Sequence, residues 1–381
     1  MFDIVGNEKR IFFVTHHFYQ GSHNMPLYAI MQNPGHNRVY FKSAQTLAQN
    51  EIGMVCKQLS SPAQSIHATV IGGIPYIMFE ADKPLTEKDL SLLSRLSFTY
   101  ALFELPQHSQ ATGMVPLTVR PPAFFPDEIN TYLKYTGKTN ELFTRMMLNL
   151  ASVCGSHKIG ERLRVLDPVC GKGTTLFECL QSGYDAYGVD IDGVLVREAH
   201  TFLKRYLETA RYKHESHVER VGCFDADDRP FTATRYRTVM ARDKEGQKSG
   251  NSLHAEMVDG DTRFLNQYFK KETFHAIVGD LPYGVLHVSK KKGIPSASRN
   301  AADMLKDALP GWVGSLKIGG VMVLAWNLFL IPRQTMESLF LDHGMRLPYE
   351  AQQMKMAHRV DQAIERDLII GIKTDPRSKL S

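Results

Sequence analysis

Long apolar runs are missing from this sequence: no stretch approaches the roughly 18 uncharged apolar residues that a membrane-spanning helix needs, which excludes a helical membrane protein. The first residues, Met1 to Arg10, are charged and lack the apolar core of a signal peptide, so a cytoplasmic chain is expected. Cysteine is scarce as well. Cys56, Cys154, Cys170, Cys179 and Cys223 are odd in number, scattered, and never spaced as C-x-x-C. A disulfide framework and a zinc site are both disfavoured, and the five read as reduced thiols. His16-His17 and the scattered methionines show no ligand spacing, and no metal is expected. The sequence also has no internal repeat, no long low-complexity tract and no strong excess of one charge. A net charge of +5 permits a polyanionic partner without requiring one.

What is present is ordinary globular material. With 43% hydrophobic and 22% charged residues among 381, the chain can bury a full core, and its length suits two domains. From Ile11 to about Pro116, short apolar runs surround one amphipathic stretch, Ala44 to Leu59, in which Leu47, Ile52, Val55 and Leu59 share a face. Ala68 to Phe79 reads as two strands around a Gly72-Gly73 turn, Leu85 to Leu96 as a helix, and Ser97 to Leu105 as a further strand. An α+β module follows. Pro116, Pro121, Pro122 and Pro126 then stiffen the chain as an interdomain connection would. The boundary falls near residue 122, giving an N-terminal domain over 1–122, open as an RNA binder, and a second domain over 123–381.

Asn140 to Ser152 has helical spacing. From Arg162 onward, strands at 163–167, 185–190, 254–258, 275–280, 320–326 and 366–373 alternate with helices near 174–182, 193–211, 297–316 and 333–342. That alternation predicts an α/β doubly wound, Rossmann-like sheet with right-handed crossovers. Residues 213–252 break the rhythm. They are polar, rich in Arg, Asp and Lys, and longer than a βα connection of about two to six residues, so they read as an insertion.

The strand Leu163-Arg164-Val165-Leu166 leads into Asp167-Pro168-Val169-Cys170-Gly171-Lys172-Gly173-Thr174-Thr175 and then a helix-compatible run. Gly171 and Gly173 permit a tight turn and a close approach by a ligand. Alone this is weak, because strand-to-helix turns with glycine recur throughout α/β folds. The next strand ends in Tyr187-Gly188-Val189-Asp190-Ile191-Asp192, where a carboxylate can accept both hydroxyls of a ribose, in NAD as in S-adenosylmethionine. Phosphate-bearing cofactors fit poorly: Leu176 stands at the third glycine position of G-x-G-x-x-G, and the Walker pattern is absent. S-adenosylmethionine is the expected cofactor. Asp167 receives its amino group directly or through water, Cys170, Gly171, Gly173 and Thr174 form the turn, and Asp190 with Ile191 meets the ribose. Asp261, after the strand Leu253 to Val258, meets the adenine amino group in this reading; the adjoining Asp259 keeps the alternative of simple solvated acids open.

His275-Ala276-Ile277-Val278-Gly279 is a strand running into Asp280-Leu281-Pro282-Tyr283-Gly284. This turn resembles the [DN]-P-P-[YF] motif of amino-methyltransferases, with Leu281 in place of the first proline. An exocyclic base amine is a poor nucleophile because its lone pair is delocalised into the ring. A site that methylates it must accept its hydrogens and position the nitrogen. The Asp280 side chain and the Leu281 carbonyl can do so, Tyr283 can stack on an unstacked base, and Pro282 shapes the turn. D-x-P-Y-G is also a good turn anywhere, so the motif informs through its place at a strand end. No cysteine follows Pro282, which argues against a covalent thiolate route to a pyrimidine carbon.

Taken in order, Tyr135-Thr136-Gly137-Lys138-Thr139-Asn140-Glu141-Leu142-Phe143, Met146 to Ala151, D-P-V-C-G-K-G-T-T, G-V-D-I-D and D-L-P-Y-G resemble the N2-guanosine RNA methyltransferase family. That group includes tRNA guanine-N2 methyltransferases often fused to a THUMP domain. The resemblance covers about residues 135–373 and implies a class I methyltransferase fold with a smaller N-terminal α+β domain. It also implies that Thr139 and Phe143 flank the cofactor and that Asp280 to Tyr283 meet a target guanine in RNA, with tRNA the expected class. The N-terminal part is short for a full THUMP-bearing arm, and the 213–252 insertion has no counterpart in the pattern.

Lys290, Lys291 and Lys292, with Arg299 beyond them, follow the D-L-P-Y-G turn closely. They fit RNA phosphates beside a flipped nucleotide and equally a solvated lysine loop. Arg235, Arg237 and Arg242 read more simply as residues keeping a loop soluble. The alternatives are a DNA adenine-N6 methyltransferase, which shares the motif order, and a non-catalytic RNA-binding protein that keeps the fold. No membrane partner is expected, and a small activating protein subunit remains open.

Overall fold

The computed structural model describes residues 25–33, 38–105, 113–117, 123–133, 135, 138–225, 227–283, 301–375 and 377, with side chains omitted at 38–44 and 301. Lys290, Lys291, Lys292 and Arg299 lie outside the described residues.

The first sheet is antiparallel, in the order β2-β3-β1-β4-β5, built from β1 (Leu27–Gln32), β2 (Ala63–Ile71), β3 (Ile74–Ala81), β4 (Thr99–Leu105) and β5 (Val115–Leu117). Gly72 and Gly73 join β2 to β3 with φ of +59° and +84°. A two-residue hairpin needs such left-handed angles, which side chains resist. Helices α1 (Arg38–Val55) and α2 (Glu87–Ser94) pack on this sheet. Thr86 and Asp89 close a reciprocal capping box at the start of α2.

The second sheet has ten strands: β6 (Arg164–Asp167), β7 (Asp185–Asp190), β8 (Lys213–Phe224), β9 (Pro230–Ala241), β10 (Leu253–Asp259), β11 (Phe274–Asp280), β12 (Leu316–Asn327), β13 (Met345–Arg346), β14 (His358–Arg359) and β15 (Glu365–Lys373). Its path is β13-β15-β12-β11-β6-β7-β10-β9-β8, with β14 paired to β15. The strands from β12 to β10 along this path are parallel, and β15 is antiparallel to β12. The chain passes from β6 to β7 on one side and returns to β11 on the other, so the order reverses beside β6. A central parallel run with one antiparallel strand inserted near the end is the class I methyltransferase arrangement of a Rossmann-like α/β sheet. Helices α3 (Glu128–Thr131), α4 (Glu141–Cys154), α5 (Thr174–Gln181), α6 (Gly193–Thr209), α7 (Lys244–Lys248), α8 (Leu265–Tyr268), α9 (Ala301–Ser315), α10 (Arg333–Asp342) and α11 (Tyr349–Gln353) complete the chain.

Burial follows the pleat. Along β12, Val321, Val323 and Ala325 enter one apolar cluster while Met322, Leu324 and Trp326 enter a second on the opposite face. A strand covered on both sides reads as a continuous apolar run, as β11 and β12 do. The first cluster extends without a break from Leu148, Leu176 and Val278 to Tyr28, Ile52 and Phe79 of the N-terminal module. Polar contacts reinforce this junction. The buried Glu51 carboxylate accepts from Ser97 N at 3.0 Å, Ser97 Oγ at 2.5 Å and Asn149 Nδ2 at 2.7 Å, joining α1 to α4.

The polar stretch after Tyr212 differs from a loop. The strands β8 and β9 pair as a long hairpin that adds two antiparallel strands to the sheet beyond β10. Arg235 and Arg237 sit on β9 in an ion-pair network with Glu219 and Glu256, with contacts of 2.9 to 3.2 Å. The arginines therefore have a structural role as cross-strand partners, not as loop solubilisers. Arg242 reaches back to the Phe124 and Ala123 carbonyls.

Candidate active site at the strand carboxyl ends

Where the strand order reverses, the carboxyl ends of β6, β7, β10 and β11 lie side by side, and in an open α/β sheet the crevice outside such ends is the usual ligand position. Local sequence makes its floor. Gly171 and Gly173 adopt φ of +48° and +86°, and a Cβ at Gly171 would meet nothing within 4 Å. The turn is thus both left-handed and open on the side a ligand would approach. Close packing holds it from behind: a Cβ on Gly188 of β7 would fall 2.7 Å from Cys170 Sγ, so only glycine lets Cys170 settle there. The Thr174 hydroxyl pairs with Tyr135 at 2.8 Å, and the Lys172 ammonium lies 5.1 Å above the Tyr135 ring.

Asp167 and Asp190 end the neighbouring strands β6 and β7, and Asp261 lies two residues past the end of β10. Asp167 is 4% exposed and accepts the Val169 N–H at 3.0 Å. Burial pushes its carboxyl up to about 7, opposed by hydrogen bonds from Thr175 and Val169. Asp190 accepts from Gly171 N at 2.7 Å and Asp192 N at 2.9 Å. Burial raises its carboxyl too, against those two bonds. Ile191, half-buried, follows it. Asp261 caps the turn after β10 and grips Arg263, with Oδ2 2.6 Å from a terminal guanidinium nitrogen. A crevice this acidic suits a cationic ligand and opposes a pyrophosphate.

At the end of β11, Asp280 collects four groups. Thr139 Oγ1 donates to Oδ2 at 2.8 Å, the Tyr283 hydroxyl donates to Oδ1, and an Arg366 guanidinium nitrogen lies 3.4 Å from Oδ2. The fourth is a like charge, Asp167, close enough for the two carboxylates to repel. Burial raises the Asp280 carboxyl, while Arg366, Tyr283 and Thr139 pull it down. Burial and the adjacent Asp280 together raise the Tyr283 hydroxyl.

Leu281 explains its departure from the double-proline motif. Its N–H bonds to Ala325 O at 2.8 Å and its side chain is 1% exposed in the apolar cluster under α9. Proline offers no such donor. Pro282 and Tyr283 remain half-buried at the crevice edge.

Of the residues singled out in the sequence, the fold gathers Asp167, Cys170, Gly171, Gly173, Thr174, Asp190, Asp280, Leu281, Pro282 and Tyr283 around one crevice. Thr139, placed beside the cofactor by resemblance, donates to Asp280. Phe143 is fully buried, with its ring 4.5 Å from the Arg366 guanidinium and 5.2 Å from His358. Arg366 had no signal of its own in the sequence beyond a charged Glu365-Arg366-Asp367 start to an apolar strand.

No protein-family model matches the chain, and no curated protein sequence matches it. Solved structures resemble it at low identity. TrmN from Thermus thermophilus is 13% identical over 91% of this chain and 99% of its own, with a TM-score of 0.41. A TehB-like SAM-dependent methyltransferase from Corynebacterium glutamicum is 16% identical over 56% and 82%, with a TM-score of 0.31. Magnesium protoporphyrin IX methyltransferase from Synechocystis, solved with bound SAH, is 9% identical over 56% and 74%, with a TM-score of 0.31. Likeness at this level leaves the fold to be carried by the strand order.

Proposed function

We propose that this chain is an S-adenosylmethionine-dependent methyltransferase acting on the N2 amine of a guanosine in RNA, with tRNA as the substrate class. The observation that carries the reading is Asp280, a buried carboxylate fed by Thr139, Tyr283 and Arg366 at the strand end next to an open glycine turn. The acidic crevice fits the cofactor. Asp167 would hold the amino group, Gly171 and Gly173 the methionine portion, Asp190 and Ile191 the ribose, and Asp261 the adenine. When bound, S-adenosylmethionine supplies an electrophilic methyl group on a sulfonium.

The chain's own residues do the rest. Asp280 and the Leu281 carbonyl accept the two amine hydrogens, which turns the nitrogen lone pair out of conjugation and towards its target. As the nitrogen gains a carbon it must lose a proton, and the Asp280 carboxylate is the base in reach. Tyr283, with the Arg366 guanidinium carbon 5.1 Å from its ring centroid, would stack on the base through the opposite face. Guanine and RNA rest on the motif resemblance.

Incubating the protein with labelled cofactor and separate tRNA, rRNA and DNA, then analysing nucleosides, tests this. N2-methylguanosine from RNA is expected. N6-methyladenine from DNA would give the activity to the adenine-directed alternative, and absence of cofactor binding by calorimetry would return the chain to a non-catalytic RNA-binding role.

A further inference from the structure

Because β15 runs antiparallel to β12, its first residues lie where the parallel strands end, and Arg366 enters the site from there. Its side chain is 6% exposed. A guanidinium keeps its charge at any physiological pH, so a full cation is buried beside the acceptor pocket. Two aromatic faces hold it, Phe143 at 4.5 Å and Tyr283 at 5.1 Å from its central carbon. Its Nε–H is buried without an acceptor among the described residues. A buried ion pair with an unmet donor is a poor device for stability, since apolar side chains of similar volume usually do as well or better. The arrangement therefore calls for another purpose.

That purpose lies 3.4 Å away, at Asp280 Oδ2. As an anion this carboxylate accepts amine hydrogens more strongly and can take up the proton that the amine loses; protonated, it cannot act as that base. Among the described residues, the groups facing it are Thr139 from the loop before α4, Tyr283 from its own turn, Asp167 from β6 and Arg366 from β15. Among them, burial favours protonation, the two hydroxyls donate to the anion, and Arg366 alone brings a positive charge. Around Arg366 itself, His358 is kept neutral by burial, and Asp367 is engaged by Arg333 at 2.7 Å. We infer that Arg366 is a positioning residue that holds Asp280 as an anion aimed at the acceptor amine, an inference resting on the amine-methylating reading above.

The test compares wild type with Arg366→Met and Arg366→Lys in the full chain. Two readouts are followed across pH: single-turnover methyl transfer to tRNA, and the Asp280 carboxyl band by infrared difference spectroscopy against Asp280→Asn. In the Met variant the acid limb of activity moves up by about one to three pH units, the range for removing an adjacent opposite charge. Activity recovers at high pH, and affinity for S-adenosylhomocysteine is unchanged. The infrared midpoint of Asp280 moves with it. Lysine keeps the charge but cannot lie flat between two rings, and gives a smaller shift; it carries the test if the Met variant fails to fold. A uniform loss of activity at all pH values with an unmoved Asp280 midpoint overturns the inference. If wild type methylates no guanosine yet the Asp280 midpoint shifts on substitution, the substrate reading fails and the role of Arg366 stands.

Discussion

The Asp190 carboxylate accepts the Gly171 N–H at 2.7 Å, tying the end of β7 to the glycine turn that follows β6. One side chain thus sets the shape of the turn and, in the proposed reading, also holds the ribose. Asp190→Ala removes a charged acceptor from both the turn and the ribose position. Affinity for S-adenosylhomocysteine, measured by calorimetry, is expected to fall about 10- to 100-fold, the scale of hydrogen bonds to a charged group.

Asp167 links binding to pH. Its carboxyl is raised from 3.8 to about 7 by burial. Between those values the folded chain holds more protons than the unfolded chain, so this group makes stability fall as pH rises through that window. A cationic amino group arriving beside it favours the ionised form, so binding of S-adenosylhomocysteine below pH 7 should release a proton. Calorimetry in buffers of different ionisation enthalpy detects that release. Asp167→Asn should melt higher than wild type at pH 8 and bind the ligand more weakly; equal melting temperatures at pH 8 would contradict the assignment.

Glu51 anchors the N-terminal module to α4 through Asn149. Glu51→Ala leaves the Ser97 N–H and hydroxyl without their acceptor and the Asn149 amide with the Arg95 carbonyl as its remaining one, at a cost of about 2–5 kcal/mol. Because one apolar cluster runs through both modules, the variant should melt in a single transition at lower temperature. Two separate transitions in scanning calorimetry would show that the modules are energetically independent.

Restoring the double-proline motif should harm this protein. Leu281→Pro removes the N–H that reaches Ala325 O and trims a buried side chain. A loss of about 2–4 kcal/mol is expected in denaturant titration, with methyl transfer reduced.

The sequence made the central sheet legible because parallel strands are apolar on both faces and their ends carry charged or glycine-rich turns. Strands such as Asp185–Asp190 and Phe274–Asp280 match those signals closely. The β8–β9 hairpin was hidden for the opposite reason: Lys213-His214-Glu215-Ser216-His217 is polar at successive positions, so no two-residue period marks a strand. Its place in the sheet is fixed by the pairing of β9 with β10, with β8 paired in turn to β9. Within the site, Asp190 and Asp280 announce themselves by ending strands. Arg366 does not, since its relation to Asp280 depends on β15 folding back antiparallel beside β12. Leu281 likewise read as a departure from a motif until its buried side chain and backbone bond gave it a reason.

In the proposed reaction Asp280 is the group that accepts the hydrogens of a base amine. Single-turnover transfer from labelled cofactor to tRNA by Asp280→Ala, with S-adenosylhomocysteine affinity measured on the same preparation, tests it most directly. Retained binding with methyl transfer reduced at least about 100-fold, the contribution of a positioned acid–base group, is the predicted result. Retained binding with wild-type transfer of methyl to guanosine would contradict it.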